Sequence, residues 1–188
     1  MSLYDDTREG FEMRSSWLAT TLVVVGATAL LVAGAAGGAA THGGPKSSAT
    51  PVFKLRLKPS QEVPRIRDLR ANAVGHVTFD LERSGGAITS GEVIFYFNYW
   101  FAGGAVTITG LHVHQGAKGT NGPVLISSGV APFTDGDGQG NITTVVTGTS
   151  PTVLQAILDK PRDYYVNLHT SVNPDGALRD QMHNPKKR

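Results

Sequence analysis

The chain has 188 residues, 23 of them glycine and none cysteine, with a formal net charge of +2. That length suits one ordinary domain with appendages, and the lack of cysteine excludes disulfides, cysteine metal sites and a lipid-anchored lipoprotein. A charge so near zero, with no basic stripe carrying interleaved aromatics, argues against nucleic acid as a partner.

Residues 1–16 read as a short N-terminal arm of mixed charge, with Asp5, Asp6, Glu9 and Glu12 set against Arg8 and Arg14. From Trp17 to Ala40 there is no charged residue. About twenty apolar residues cross a bilayer core of roughly 30 Å, so residues 17–40 are expected to form a transmembrane helix with Trp17 at one water interface. A cleaved signal peptide is the competing reading, because the small residues from Ala33 to Ala40 suit a peptidase. The acidic lead-in, and a run longer than the usual signal core of about 7–15 residues, favour a retained anchor. Gly34 and Gly38, beside the series Ala29, Ala33 and Gly37, would let a partner helix approach closely in lipid. Plain Ala/Gly bias is the alternative. Residues 41–51 form a Gly/Pro/Ser linker.

The remainder reads as β structure. Phe53, Leu55 and Leu57 alternate with Lys54, Arg56 and Lys58, the period of a half-buried strand. Val77, Phe79 and Leu81 repeat the pattern before a turn at Gly85-Gly86. Further strands are expected near Glu92–Phe101, Ala105–His114, Val124–Val130, Asn141–Thr147, Tyr164–His169 and Ala177–Met182. One helix is expected, over Ser150–Leu158, with Ser150 as N-cap and Pro151 in the first turn. The Gly/Asp-rich run Asp135–Asn141 lacks the later ligands of a calcium loop and reads as a hairpin turn. Lys186-Lys187-Arg188 ends the chain in a solvated basic tail, residues 184–188. Many short strands and one helix predict an antiparallel β-sandwich or barrel.

One strand is apolar on both sides. Val93, Phe95, Phe97, Tyr99 and Phe101 alternate with Ile94, Tyr96, Asn98 and Trp100. A sandwich strand needs one such face for its core. The other face is either covered by a loop or open, and Tyr96 and Trp100 are then candidate anchors for a partner or a lipid headgroup layer.

His112 and His114 share a strand face by the period-2 rule, and His169 lies in a second strand ahead of Gly176-Ala177-Leu178-Arg179. Three imidazoles are a candidate copper or zinc ligand set. The favoured reading is that they are buried groups hydrogen-bonded to loop backbones, with metal binding as the alternative.

These runs carry a resemblance. Ser60-Gln61-Glu62-Val63-Pro64, Gly75-His76-Val77-Thr78-Phe79, the His112–Gln115 and Asn121–Val124 segments, and Tyr165–Thr170 with Asn173–Gln181 follow one another as in the CHRD domain, named after chordin. The resemblance spans residues 52–183. It implies an exported domain of immunoglobulin-like fold with limited similarity to copper/zinc superoxide dismutases, in whose motif Arg179 would be the anion-guiding arginine. A dismutase-type copper site would want a fourth histidine, and the zinc-bridging ligand has no counterpart between Gly116 and Phe133.

The expectation is therefore a single-pass protein of the inner membrane with the domain outside, amino terminus inside. Charge barely decides that orientation, since Arg8 and Arg14 before the span are matched by Lys46, Lys54 and Arg56 after it. It would act without catalysis or cofactor as an accessory subunit among other membrane-protein subunits, as in respiratory or photosynthetic complexes. The alternative is a periplasmic copper- or zinc-binding, dismutase-like protein.

Overall fold

The computed structural model describes residues 50–187, the last two as backbone. The arm, the anchor with Gly34 and Gly38, and the linker up to residue 49 lie outside the described residues. No described helix is long and apolar enough to cross a membrane.

The chain enters on β1 (Pro51–Leu57), where the expected alternation buries Phe53, Leu55 and Leu57 and exposes Lys54 and Arg56. A 3-10 turn at Pro59–Gln61 leads by an extended loop to β2 (Ala71–Ser84). β2 folds back on β3 (Ala87–Phe101) through Gly85 and Gly86, both at positive φ (57° and 87°), which side-chain-bearing residues adopt at a cost. β4 (Val106–Gln115), β5 (Val124–Ser127), β6 (Phe133–Asp135) and β7 (Gln139–Val146) follow. Helix α1 (Pro151–Asp159) comes next; Ser150 holds its N-cap position, although the hydroxyl makes no capping bond. The chain closes with β8 (Tyr164–Thr170), β9 (Leu178–Gln181) and β10 (Lys186–Lys187).

Every pairing is antiparallel. One sheet has the order β10-β1-β2-β3-β7, the other β5-β4-β8-β9 with β6 also on β4. The sheets pack face to face as a sandwich, which corrects the barrel alternative. A barrel needs a continuous ladder around the ring, and here one bridge joins the two edges: Lys58 and Arg179 exchange backbone hydrogen bonds of 3.0 and 3.2 Å. The next residue, Pro59, has no N–H to extend the ladder. Instead, the free edge of β1 is shared by β10, the Asp180 carboxylate (2.7 Å from Arg56 N) and this bridge.

The core lies between the sheets. Phe53 meets Phe79 edge-on with ring centroids 5.1 Å apart, beside the fully buried Phe95 and Phe97. Leu111, Val113, Val166 and Leu168 fill the other side, and α1 adds Leu154 and Ile157. Two short strands were not foreseen: β6, and the pairing of Lys186 and Lys187 with β1, which adds an edge strand within the basic tail. The Asp135–Asn141 run turns tightly between β6 and β7, with Asp135 Oδ1 accepting from the backbone N–H of Asp137 and Gly138.

Candidate functional site

Burying Leu111 and Val113 against the core turns His112 and His114 to the opposite face of β4. The same alternation on β8 puts Val166 and Leu168 inward and Tyr165, Asn167 and His169 outward. Register then sets the outward residues in rows: Gly110 beside His169, His112 beside Asn167 and Arg179, His114 beside Tyr165 and Gln181. An outward face of a sandwich is ordinarily wet. This one is not: all seven residues of β8 are buried, because three loops fold over it.

The loops are tied down by the polar groups they cover. Arg179 is 1% exposed; its Nη1 donates to Asn121 Oδ1 at 3.0 Å and its Nη2 to the Thr120 carbonyl at 2.8 Å, with the guanidinium 3.4 Å over the Tyr165 ring. The guanidinium is thus committed to the loop after β4. Asn121 in turn donates to the Val63 carbonyl at 2.6 Å, and Gln181 reaches the carbonyls of Gly116, Arg162 and Tyr164 at 2.7–2.9 Å.

The three histidines come together within this layer. Candidate ligand atoms of His112, His114 and His169 all lie within 4.8 Å of one another, the one such cluster of metal-binding side-chain types among the described residues. His114 Nδ1 lies 3.0 Å from the Gly122 carbonyl and His169 Nδ1 lies 2.8 Å from the Pro174 carbonyl, while their Nε2 atoms face each other at 3.4 Å. The His112 ring sits 4.8 Å from that of His169, centroid to centroid, and its Nδ1 is buried with no hydrogen-bond partner. Gly110 makes room for it: a Cβ there would stand 2.7 Å from His112 Cε1. Burial, with the other two imidazoles nearby, pushes the His112 pKa down to about 4. Burial also lowers that of His114, opposed by its bond to Gly122.

Glu62 belongs to the same layer, a role no periodicity announced. It is buried, its Oε2 is 3.5 Å from Asn167 Nδ2, and both Glu62 Oε1 and Asn167 Oδ1 lack partners. Burial raises its pKa to about 7 against the pull of Arg179 and Asn167. The signal available in the sequence was a carboxylate inside the Gln61–Pro64 motif, in a loop.

Tyr96 and Trp100 lie elsewhere, on the outer face of the first sheet, each 38% exposed. Among the described residues, no loop buries these two side chains. Gly34 and Gly38 lie outside the described residues.

Comparison with protein-family models matches the CHRD domain over residues 53–182. Neither the curated proteins nor the solved structures contain a match to the chain. The polar layer draws its members from every quoted motif except Gly75–Phe79, which lies on β2 of the other sheet: Glu62 from the first, His112, His114 and Asn121 from the middle ones, Tyr165, Asn167 and His169 from β8, and Arg179 and Gln181 from the last. With its family segment folded as a two-sheet β-sandwich, the chain belongs to the CHRD domain family.

Proposed function

We propose that this chain is a single-pass protein of the inner membrane whose CHRD domain, held on the outer side, acts by binding as an accessory subunit of a larger membrane assembly. The observation that supports this reading is the outer face of the first sheet, exposed among the described residues. Tyr96 and Trp100 project there with Val74 and Val145, all more than a third exposed. Tyr and Trp are favoured anchors of protein interfaces. Their surroundings are held in place before any partner arrives: His76 stacks on Tyr96 (5.2 Å, 23°), and Asn98, Asn141 and Thr143 are linked by side-chain bonds of 3.2 and 2.7 Å. A face already ordered loses less entropy on docking. The interleaving of aromatic and amide groups suits a protein partner better than lipid. β1, on which the chain enters the domain, belongs to this same sheet.

Changing Tyr96 and Trp100 together to Ser should leave thermal unfolding nearly unaltered while weakening co-purification in mild detergent. The expected loss is about 2 kcal/mol, roughly 30-fold in affinity. A double variant that stays in its complex rejects the docking role, as does one that unfolds. Binding of the wild-type domain to protein-free vesicles, lost in the variant, would replace the protein partner by lipid.

For the anchor, Gly34→Leu with Gly38→Leu should preserve insertion, since hydrophobicity rises, and weaken association if that face packs on a partner helix. Unchanged co-purification would remove the packing role. A mature protein beginning after Ala40 would remove the anchor. Dismutase catalysis is not proposed, because among the described residues the cluster holds three histidines and no bridging ligand.

A further inference from the structure

We infer that His112, His114 and His169 form a binding site for a divalent transition metal, zinc(II) or copper(II), gripped between the Nε2 atoms of His114 and His169. The site lies on the opposite outer face from Tyr96 and Trp100, so it stands or falls apart from the docking reading.

The hydrogen count carries the inference. The carbonyls of Gly122 and Pro174 only accept, so the Nδ1 of His114 and of His169 must each donate. A neutral imidazole has one N–H. Both Nε2 atoms therefore present bare lone pairs, and they face each other at 3.4 Å inside a water-poor layer. Two acceptors so placed repel unless a cation lies between them. A shared proton fits poorly, because 3.4 Å exceeds the usual hydrogen-bond range of about 2.7–3.2 Å. A metal fits well: two nitrogens at about 2.0–2.1 Å from a tetrahedral ion stand roughly 3.3–3.4 Å apart.

The surroundings have the other parts of such a site. Backbone carbonyls on Nδ1 are the partners that fix the tautomer and aim of a ligating histidine, and both come from loops that close over the layer. His112, admitted by Gly110 and left with an orphaned Nδ1, is the third donor. The donor set is all imidazole. That selects zinc or copper over calcium or magnesium, which take oxygen ligands. With three protein ligands, a fourth position is left for water or another small ligand.

The test uses the full chain in detergent, stripped with chelator and titrated with zinc sulfate or copper(II) chloride by calorimetry. One ion per chain is expected, tighter for copper than zinc. His112→Ala with His114→Ala should weaken binding at least 100-fold. His183→Ala, which removes an exposed histidine outside the cluster, should leave it unchanged. The copper(II) form should show nitrogen hyperfine splitting from at least two imidazoles in its electron paramagnetic resonance spectrum, a readout that holds even if the cluster variant fails to fold. No binding to the wild-type chain, or fewer than two nitrogen donors on the copper, overturns the inference. So does binding that survives in the cluster variant.

Discussion

Replacing Arg179 by Met should cost about 3–5 kcal/mol of unfolding stability, the range for removing one member of a buried charged network. The side chain is fully buried, and its loss removes the donors to Asn121 Oδ1 and the Thr120 carbonyl that tie the loop after β4 to the sheet. Methionine fills the volume and still stacks on Tyr165, so the deficit measures the polar bonds and not a cavity. Arg179→Lys should recover only a small part, since an ammonium cannot serve both acceptors in the plane of a guanidinium fork. Denaturant unfolding gives the magnitude, and amide exchange should show residues 116–123 opening first. A cost below about 1 kcal/mol in Arg179→Met would mean that the loop is held by other contacts.

Glu62 should make the domain less stable as pH rises. Its carboxyl has a folded-state pKa near 7 against an ordinary 4.5. The native state thus holds the proton more tightly than the unfolded chain does. Stability from this group is complete below pH 4.5 and is lost as pH climbs through 7, a change of about 3 kcal/mol at most. Arg179, the charged group facing it, works against the shift without cancelling it. Glu62→Gln should flatten the slope and stabilise the protein at pH 8, because the amide keeps an acceptor for Asn167 Nδ2 and offers a donor to the unpartnered Asn167 Oδ1. Thermal unfolding of both proteins from pH 4 to pH 8 is the measurement. Parallel curves would show that Glu62 does not titrate in this window.

These two residues mark where the sequence stopped being legible. Strands such as β1 and β3 announced themselves because alternation is local: Phe53, Leu55 and Leu57 need only their neighbours to be read. The helix was readable from Pro151 and the apolar spacing of Leu154 and Ile157. The approach of His112, His114 and His169 was expected from the shared face on β4 and the motif on β8, and the structure brings them together. Buried imidazoles held by loop carbonyls were among the expectations, and His114 and His169 take that form. Burial of Arg179 and Glu62 was not foreseen, since it arises when segments more than fifty residues apart in the chain close over one sheet, as the Arg179–Asn121 bond shows. An arginine read as anion-guiding is therefore found inside, and Glu62, in a loop without periodicity, becomes a buried acid. Sandwich and barrel share the same alternation; Pro59 at the end of the joining edge was the residue that separated them. β6 escaped because three residues, Phe133 to Asp135, are too few to show a period.

The place where the chain enters the domain has a mechanical consequence. β1 is paired with β2 at six successive positions, Val52 to Leu57 against Ala73 to Thr78. A pull on the chain ahead of Pro51, with the domain gripped through the outer face of the first sheet, acts along β1 and loads all six rungs in shear at once. At the other terminus, the two rungs between β10 and β1 lie at the chain's end and can be peeled singly. Force delivered from the carboxyl side would meet little resistance at first, whereas the same force from the amino side would meet the full ladder. A domain held by its amino-terminal side would thereby be loaded in its stiffest direction.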